Sequence, residues 1–179
     1  MEWTVRAAVA ADADRIAEIN VDAWRHAYRG LIAESTLAAI DTGARAVRWA
    51  ETVRDLAEPA ALFVAVGTDS RIGAYSGVTR ARDEGDRRPG LRTGELTALY
   101  ADPAGWGRGA GSAAHRAALD HLVAHGFEHA VLWVLAGNER ARRFYEARGW
   151  RPDEVVKDAG IGDRPAPKIR YSRSLRKSE

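Results

Sequence analysis

From Asp102 to Ser112 the chain reads Asp-Pro-Ala-Gly-Trp-Gly-Arg-Gly-Ala-Gly-Ser, and this run narrows the fold more than any other stretch. Alternation over Glu95–Ala101 predicts a strand before it, and the residues from about 110 to 125 predict a helix after it. Gly105, Gly107, Gly109 and Gly111 let the backbone come close to a ligand and take positive φ. The following helix aims its unpaired N–H groups and the positive end of its dipole at the turn. A phosphate or pyrophosphate is the natural occupant of such a place. The plain alternative is a tight strand-to-helix connection in which the glycines only relieve crowding. Arg108 within the run favours the anion.

Known phosphate motifs fit poorly. A P-loop requires Gly-Lys-Ser/Thr, and Gly111-Ser112 has no lysine. The dinucleotide fingerprint can be forced onto Gly105, Gly107 and Ala110 with Glu128 downstream, but two consecutive βαβ halves are missing. Composition removes other classes. A chain of 179 residues, 46% hydrophobic and 29% charged, suits one soluble domain spanning 1–179. The net charge of +2 is too small to argue for nucleic acid. The absence of cysteine excludes disulfides, a thiolate nucleophile and thiolate-bound metal. There is no signal-like start and no apolar run of spanning length, so a cytoplasmic protein without a membrane partner is the expectation.

Elsewhere strands are predicted at 3–9, 62–66, 72–79, 130–135 and 169–175. Gly67-Thr68-Asp69-Ser70 marks a hairpin. Asp12 is the expected cap of a helix carrying Ile16, Ile19, Ala23, Trp24 and Ala27. A second helical stretch covers about 35–57, with Gly43 offering a break and Pro59 closing it. A further helix runs from Asn138 to about Arg148. Helices and strands intermix, which gives a single α/β domain.

At this point two segments resemble the GCN5-related N-acetyltransferases. The run Glu95-Leu96-Thr97-Ala98-Leu99-Tyr100-Ala101-Asp102-Pro103, continued by Trp106-Gly107-Arg108-Gly109-Ala110-Gly111, is similar to that family's motif A, Gln/Arg-x-x-Gly-x-Gly/Ala. Gly109 and Gly111 take the small positions, and Trp106 stands where Gln or Arg is usual. The stretch from Leu132 to Trp150 resembles motif B, Asn-x-x-Ala-x-x-Phe-Tyr-x-x-x-Gly-Phe, with Trp150 in place of the last Phe. Ala23–Leu31 is similar to a common subgroup of the family.

The resemblance implies a mixed, mostly antiparallel sheet of six or seven strands flanked by helices, with acetyl-CoA in a cleft between two splayed strands. It also implies transfer of acetyl to a primary amine of a small molecule or peptide, without metal, and it is compatible with a homodimer. Backbone groups of Leu99, Tyr100 and Ala101 would face the pantetheine arm. Those from Trp106 through Gly107, Arg108, Gly109, Ala110 and Gly111 to Ser112 would hold the pyrophosphate. Asn138 would lie near the pantetheine as well as capping its helix. Tyr145 would be the acid that protonates the thiolate. Glu95, fourteen residues before Gly109 and by alternation on one strand face with Thr97, Leu99 and Ala101, would be the base, directly or through water. The alternative is an exposed strand-end glutamate, with water or another group as the base. Trp24, His26 and Tyr28 would line the acceptor pocket.

Other constellations are weaker. His121, His125 and His129 repeat every fourth residue, but Gly126 interrupts the helix, and a solvated face is the reading taken. No Gly-x-Ser-x-Gly elbow occurs. The rival from another class is a sensor domain that binds acyl-CoA without turnover.

Overall fold

The computed structural model describes residues 2–162 and 164–176. Its strands are β1 (Trp3–Ala7), β2 (Ala61–Gly67), β3 (Ile72–Arg80), β4 (Thr93–Ala101), β5 (His129–Leu135), β6 (Arg151–Asp158) and β7 (Pro167–Ser174). Its helices are α1 (Ala13–Ala27), α2 (Glu34–Ala38), α3 (Thr42–Asp55), α4 (Ala110–Ala124) and α5 (Glu139–Glu146). The strands form one sheet in the order β1-β2-β3-β4-β5-β7-β6. Only the β4–β5 pair is parallel. This is the mixed, mostly antiparallel α/β architecture expected.

Helices cover both faces. On one, Ile16 and Ile19 of α1 pack with Leu62, Val64, Ile72 and Tyr75, and Trp49 and Val53 of α3 close over them. On the other, Leu119 and Leu122 of α4 meet Leu96, Leu132, Trp150 and Tyr171. Each fully buried Leu or Ile contributes roughly 1.5–3 kcal/mol relative to exposure. Small residues bring α4 close to the middle of the sheet: Ala110 and Ala114 rest on Ala65 and Ala74. There the Ser76 hydroxyl donates to the Ala114 carbonyl at 2.8 Å.

Several local expectations change. The helical stretch over 35–57 divides at Ala39–Asp41, ahead of Gly43, because Asp41 caps α3 by accepting from the Ala44 N–H at 2.8 Å. Asp12 precedes α1, but its carboxylate turns back to the Val9 N–H and to Arg6 and does not cap. The strand β6 was not foreseen. It carries Pro152, a positive φ at Glu154 and mostly charged residues, because it is a sheet edge with an irregular register against β7.

The α4–α5 core also contains a buried histidine. The His115 Nε2 accepts from the Trp150 indole N–H at 2.9 Å, so the proton of the neutral ring sits on Nδ1. Burial, with Arg173 and Arg148 nearby, lowers its pKa from 6.5 to about 4. A depressed histidine favours folding fully above its unfolded value and loses that support as pH falls toward the folded one. Stability should therefore drop by about 3 kcal/mol between pH 6.5 and pH 4 from this group. Thermal melts over that window check it, and His115→Gln, which keeps an acceptor for the indole without titrating, should flatten the slope.

Candidate active site

The site begins where β4 and β5 part. Their pairing runs from Thr93↔His129 to Leu96↔Leu132 and stops. At the next residue β4 bulges against β3: Val78 faces Leu96 and Gly77 faces Ala98, which leaves Thr97 without a partner. A bulge bends its strand and adds twist. Beyond it β4 stays with β3 through Ser76↔Leu99, Tyr75↔Tyr100 and Ala74↔Ala101, while β5 follows β7. The β5-facing edge of Leu99–Ala101 is left open, and backbone groups there need another partner.

The bulge also corrects the expected side-chain alternation. Leu96 and Leu99 both reach the α4 face, whereas Ala98 and Tyr100 pack with the α1–α3 core. Glu95 therefore does not share a face with Leu99 and Ala101. Its carboxylate is buried and gripped by Arg82, with Nη2–Oε1 at 2.6 Å, Nε–Oε2 at 3.1 Å and the Arg82 N–H at 3.3 Å.

The gap holds a cavity of about 370 Å³. Its walls are Leu96–Ala101 on β4, Trp133 and Val134 on β5, Ala23 and Ala27 on α1 with Tyr28 just after it, and Phe144 and Tyr145 on α5. The glycine turn closes one end with Gly105, Trp106, Gly107, Gly109, Ala110, Gly111 and Ser112. Glu95, Arg108, Trp24 and His26 lie outside this lining; the remaining expected residues, Asn138 included, belong to it.

Two tryptophans hold the turn from behind. The Trp3 indole N–H donates to the Arg108 carbonyl at 2.7 Å, and that of Trp106 to the Ala101 carbonyl at 2.9 Å. Asp102 fixes the start of the turn by accepting from the Ala104 N–H and from Arg15. Gly107 and Gly109 adopt φ of +82° and +94°, the left-handed region. Gly109 is the N-cap of α4 and has no side chain to occupy the helix end. Among the described residues, the N–H groups of Gly107, Gly109, Ala110, Gly111 and Ser112 donate to no acceptor in the protein. A row of free donors at a helix N-terminus suits an anion.

Two arginines that the sequence reading missed flank this cradle. Arg140 lies 4.1 Å over the Trp106 ring. Arg148 lies 3.6 Å over Phe144 and donates to the Ser112 hydroxyl at 2.6 Å. Both line the cavity. The signal was present: Arg148 follows Tyr145 by three residues, so a helical turn places the two on one side.

At the other end Tyr145 is buried against Phe144, Trp150 and Tyr171. Its hydroxyl makes no hydrogen bond among the described residues. Burial, helped by the Tyr100 phenol, pushes its pKa well up, so it stays protonated through neutral pH. Across the cavity the Tyr28 and Tyr100 hydroxyls lie 3.3 Å apart. Asn138 caps α5 by accepting from the Ala141 N–H at 3.2 Å. Trp24 packs edge-on against Tyr28, and His26, exposed, bonds to the Asp22 carbonyl.

Residues 13–150 match the acetyltransferase (GNAT) family. The chain belongs to this family. Among GNAT proteins, the N-acetyltransferase YuaI of Bacillus subtilis is 29% identical over 157 residues, covering 87% of this chain and 83% of that one. A mycothiol acetyltransferase of Beutenbergia cavernae is 42% identical over 73 residues, 41% of this chain and 25% of that protein. This chain thus spans a quarter of the length of that relative. The same GNAT fold recurs in the PaiA N-acetyltransferase of Thermoplasma acidophilum, solved with coenzyme A, at a TM-score of 0.73 and 15% identity. That likeness covers 97% of this chain and 99% of the other. A phosphinothricin acetyltransferase of Sinorhizobium meliloti, solved with acetyl-CoA, gives a TM-score of 0.71 at 20% identity, over 98% and 89% of the two chains.

The turn geometry separates its glycines. An alanine at Gly109 must hold a left-handed φ, which costs roughly 1–2 kcal/mol for an L-residue. Gly111 lies inside α4, where an added Cβ meets only Ala101 at 3.7 Å. In the ligand-free protein Gly109→Ala is expected to lower stability by about that amount. Gly111→Ala should leave it unchanged or raise it by up to ~1 kcal/mol, and denaturant unfolding compares the two.

Proposed function

We propose that this GNAT protein is an acetyl-CoA-dependent N-acetyltransferase that passes acetyl directly to a primary amine of a small molecule or peptide. The observation that carries the reading is the junction of an open β4 edge with a turn whose N–H groups have no partner. A pyrophosphate beside Gly107–Ser112, with Arg140 and Arg148 at its flank, and a pantetheine arm along Leu99–Ala101 would satisfy both. Acetyl-CoA bound there supplies an acetyl group already activated as a thioester.

The protein's own groups take the remaining roles. A backbone N–H on the open edge of β4 polarises the carbonyl to be attacked, where developing negative charge gains most from fixed donors. Tyr145, kept protonated by burial, donates to the departing sulfur. Asn138 holds the N-terminus of α5 and thereby the helix that presents Tyr145. Tyr28, with Trp24 behind it and His26 at the rim, forms the acceptor side. Among the described residues, no aspartate, glutamate or histidine lines the cavity. We therefore assign loss of the amine proton to water, with Glu95 held in its pair with Arg82.

Three measurements test this. A thermal-shift titration should show saturable stabilisation by acetyl-CoA and little by NADH, about 2.7 kcal/mol at a hundredfold excess over Kd. Binding without transfer across a broad amine panel would instead make the protein an acyl-CoA sensor. Tyr145→Phe should lower kcat by about a hundredfold with little change in the KM for acetyl-CoA. The acidic limb of the pH–rate profile should follow the amine's own pKa, moving between two acceptors by the difference between them. A limb that stays in the carboxylate range whatever the acceptor hands the base role back to Glu95.

A further inference from the structure

The cavity's charges say something about the acceptor. Among the described residues no carboxylate lines it, so they offer nothing to neutralise a second or third ammonium. A polycation entering it would lose water without gaining a counter-charge, which is costly. Its cationic side chains, Arg140 and Arg148, stand at the end beside the glycine turn.

A different cation stands behind the acceptor side. Arg45 of α3 reaches between α3 and α1, its guanidinium 4.5 Å over the Trp24 ring. It donates to the Asn20 side-chain oxygen, and Asn20 in turn donates to the Tyr75 hydroxyl at 2.6 Å. Asn20 is thus turned so that its oxygen anchors the arginine. Arg45 is half-buried, and no carboxylate of the described residues forms an ion pair with it. The groups around it are the phenols of Tyr28, Tyr75 and Tyr100 and the same-sign Arg48.

Other donors gather near it. The Trp24 indole N–H is buried without an acceptor. The Tyr28–Tyr100 pair, at 3.3 Å, uses one hydroxyl hydrogen between the two oxygens and leaves the other free to donate. Arg45 does not itself line the cavity, but Tyr28 and Tyr100 do, and Trp24 touches both Tyr28 and Arg45. This side of the site is rich in donors and carries an uncompensated positive charge.

We propose that the acceptor amine bears a carboxylate, held by the Tyr28–Tyr100 hydroxyls within the field of Arg45 behind them. The proposal rests on the N-acetyltransferase reading and narrows it to amino acids, short peptides or related amino-carboxylates. Arg45, behind the lining, favours the carboxylate through its unpaired charge, and the Tyr28–Tyr100 pair, which lines the cavity, supplies the direct donor.

The test pairs each acceptor with its own carboxamide, over a panel of amino acids and dipeptides with spermidine as the polycation. For the best acceptor, kcat/KM should be at least about tenfold higher for the free acid than for the amide. Arg45→Met should bring that ratio close to one while the KM for acetyl-CoA stays unchanged, and Arg45→Lys should restore part of it. Equal turnover of acid and amide, an acid preference that survives Arg45→Met, or spermidine outrunning every acid overturns the carboxylate proposal and leaves N-acetyl transfer standing. Transfer to no amine at all, despite a thermal shift with acetyl-CoA, removes both readings together.

Discussion

Beyond Leu96 and Leu132 the two central strands exchange no hydrogen bonds, and the cavity, the cradle and the placement of Tyr145 all depend on that parting. A sheet interrupted in its middle leaves backbone donors and acceptors with no partner, a cost that folded proteins rarely carry without return. Here the parting occurs at the bulge on Thr97. One unpaired residue turns β4 away from β5 and shifts the phase of every side chain after it. Tyr100 consequently meets Tyr28 at the cavity wall, and Leu99 and Ala101 face α4.

The surroundings of the gap are rigid for reasons of their own. Trp3 holds the glycine turn by the Arg108 carbonyl and Trp106 ties it to the Ala101 carbonyl of β4, while N–H groups of the turn find no acceptor among the described residues. α4 lies close to β3 because only alanines separate them, and this fixes the helix end beneath the turn. α5 is capped by Asn138 and packed by aromatic edges onto Trp150 and Tyr171. Donors fixed before a ligand arrives need no reorganisation during reaction, and that is the main electrostatic advantage such a site has.

Charge is distributed unevenly along the cavity. Arg140 and Arg148 accompany the glycine turn, phenols and indoles occupy the α1 side, and Arg45 stands behind them. The carboxylates nearby are already engaged: Glu95 by Arg82, and Asp86 by Arg170 and the Trp133 indole. Acidic groups are thus close to the cavity yet withdrawn from it.

The sequence alone determined the glycine turn, the helix that follows it, the α5 cap and the α/β class. Each rests on local chemistry: glycine's access to positive φ, an asparagine at a helix start, and apolar periods of two and 3.6 residues. Tertiary structure decided the rest. The bulge at Thr97 has no local signal, because it arises from β4 registering with β3 while β5 turns toward β7. It put Leu99 and Ala101 on the face opposite Glu95, whose carboxylate meets Arg82. The edge strand β6 was hidden by its charged residues and Pro152, which an edge tolerates and a central strand does not. Arg45 drew no notice as one arginine among many, and its meaning came only when α3 laid it over Trp24 without a carboxylate partner. Charge pairing between distant segments is set by packing, and no window of sequence contains both partners.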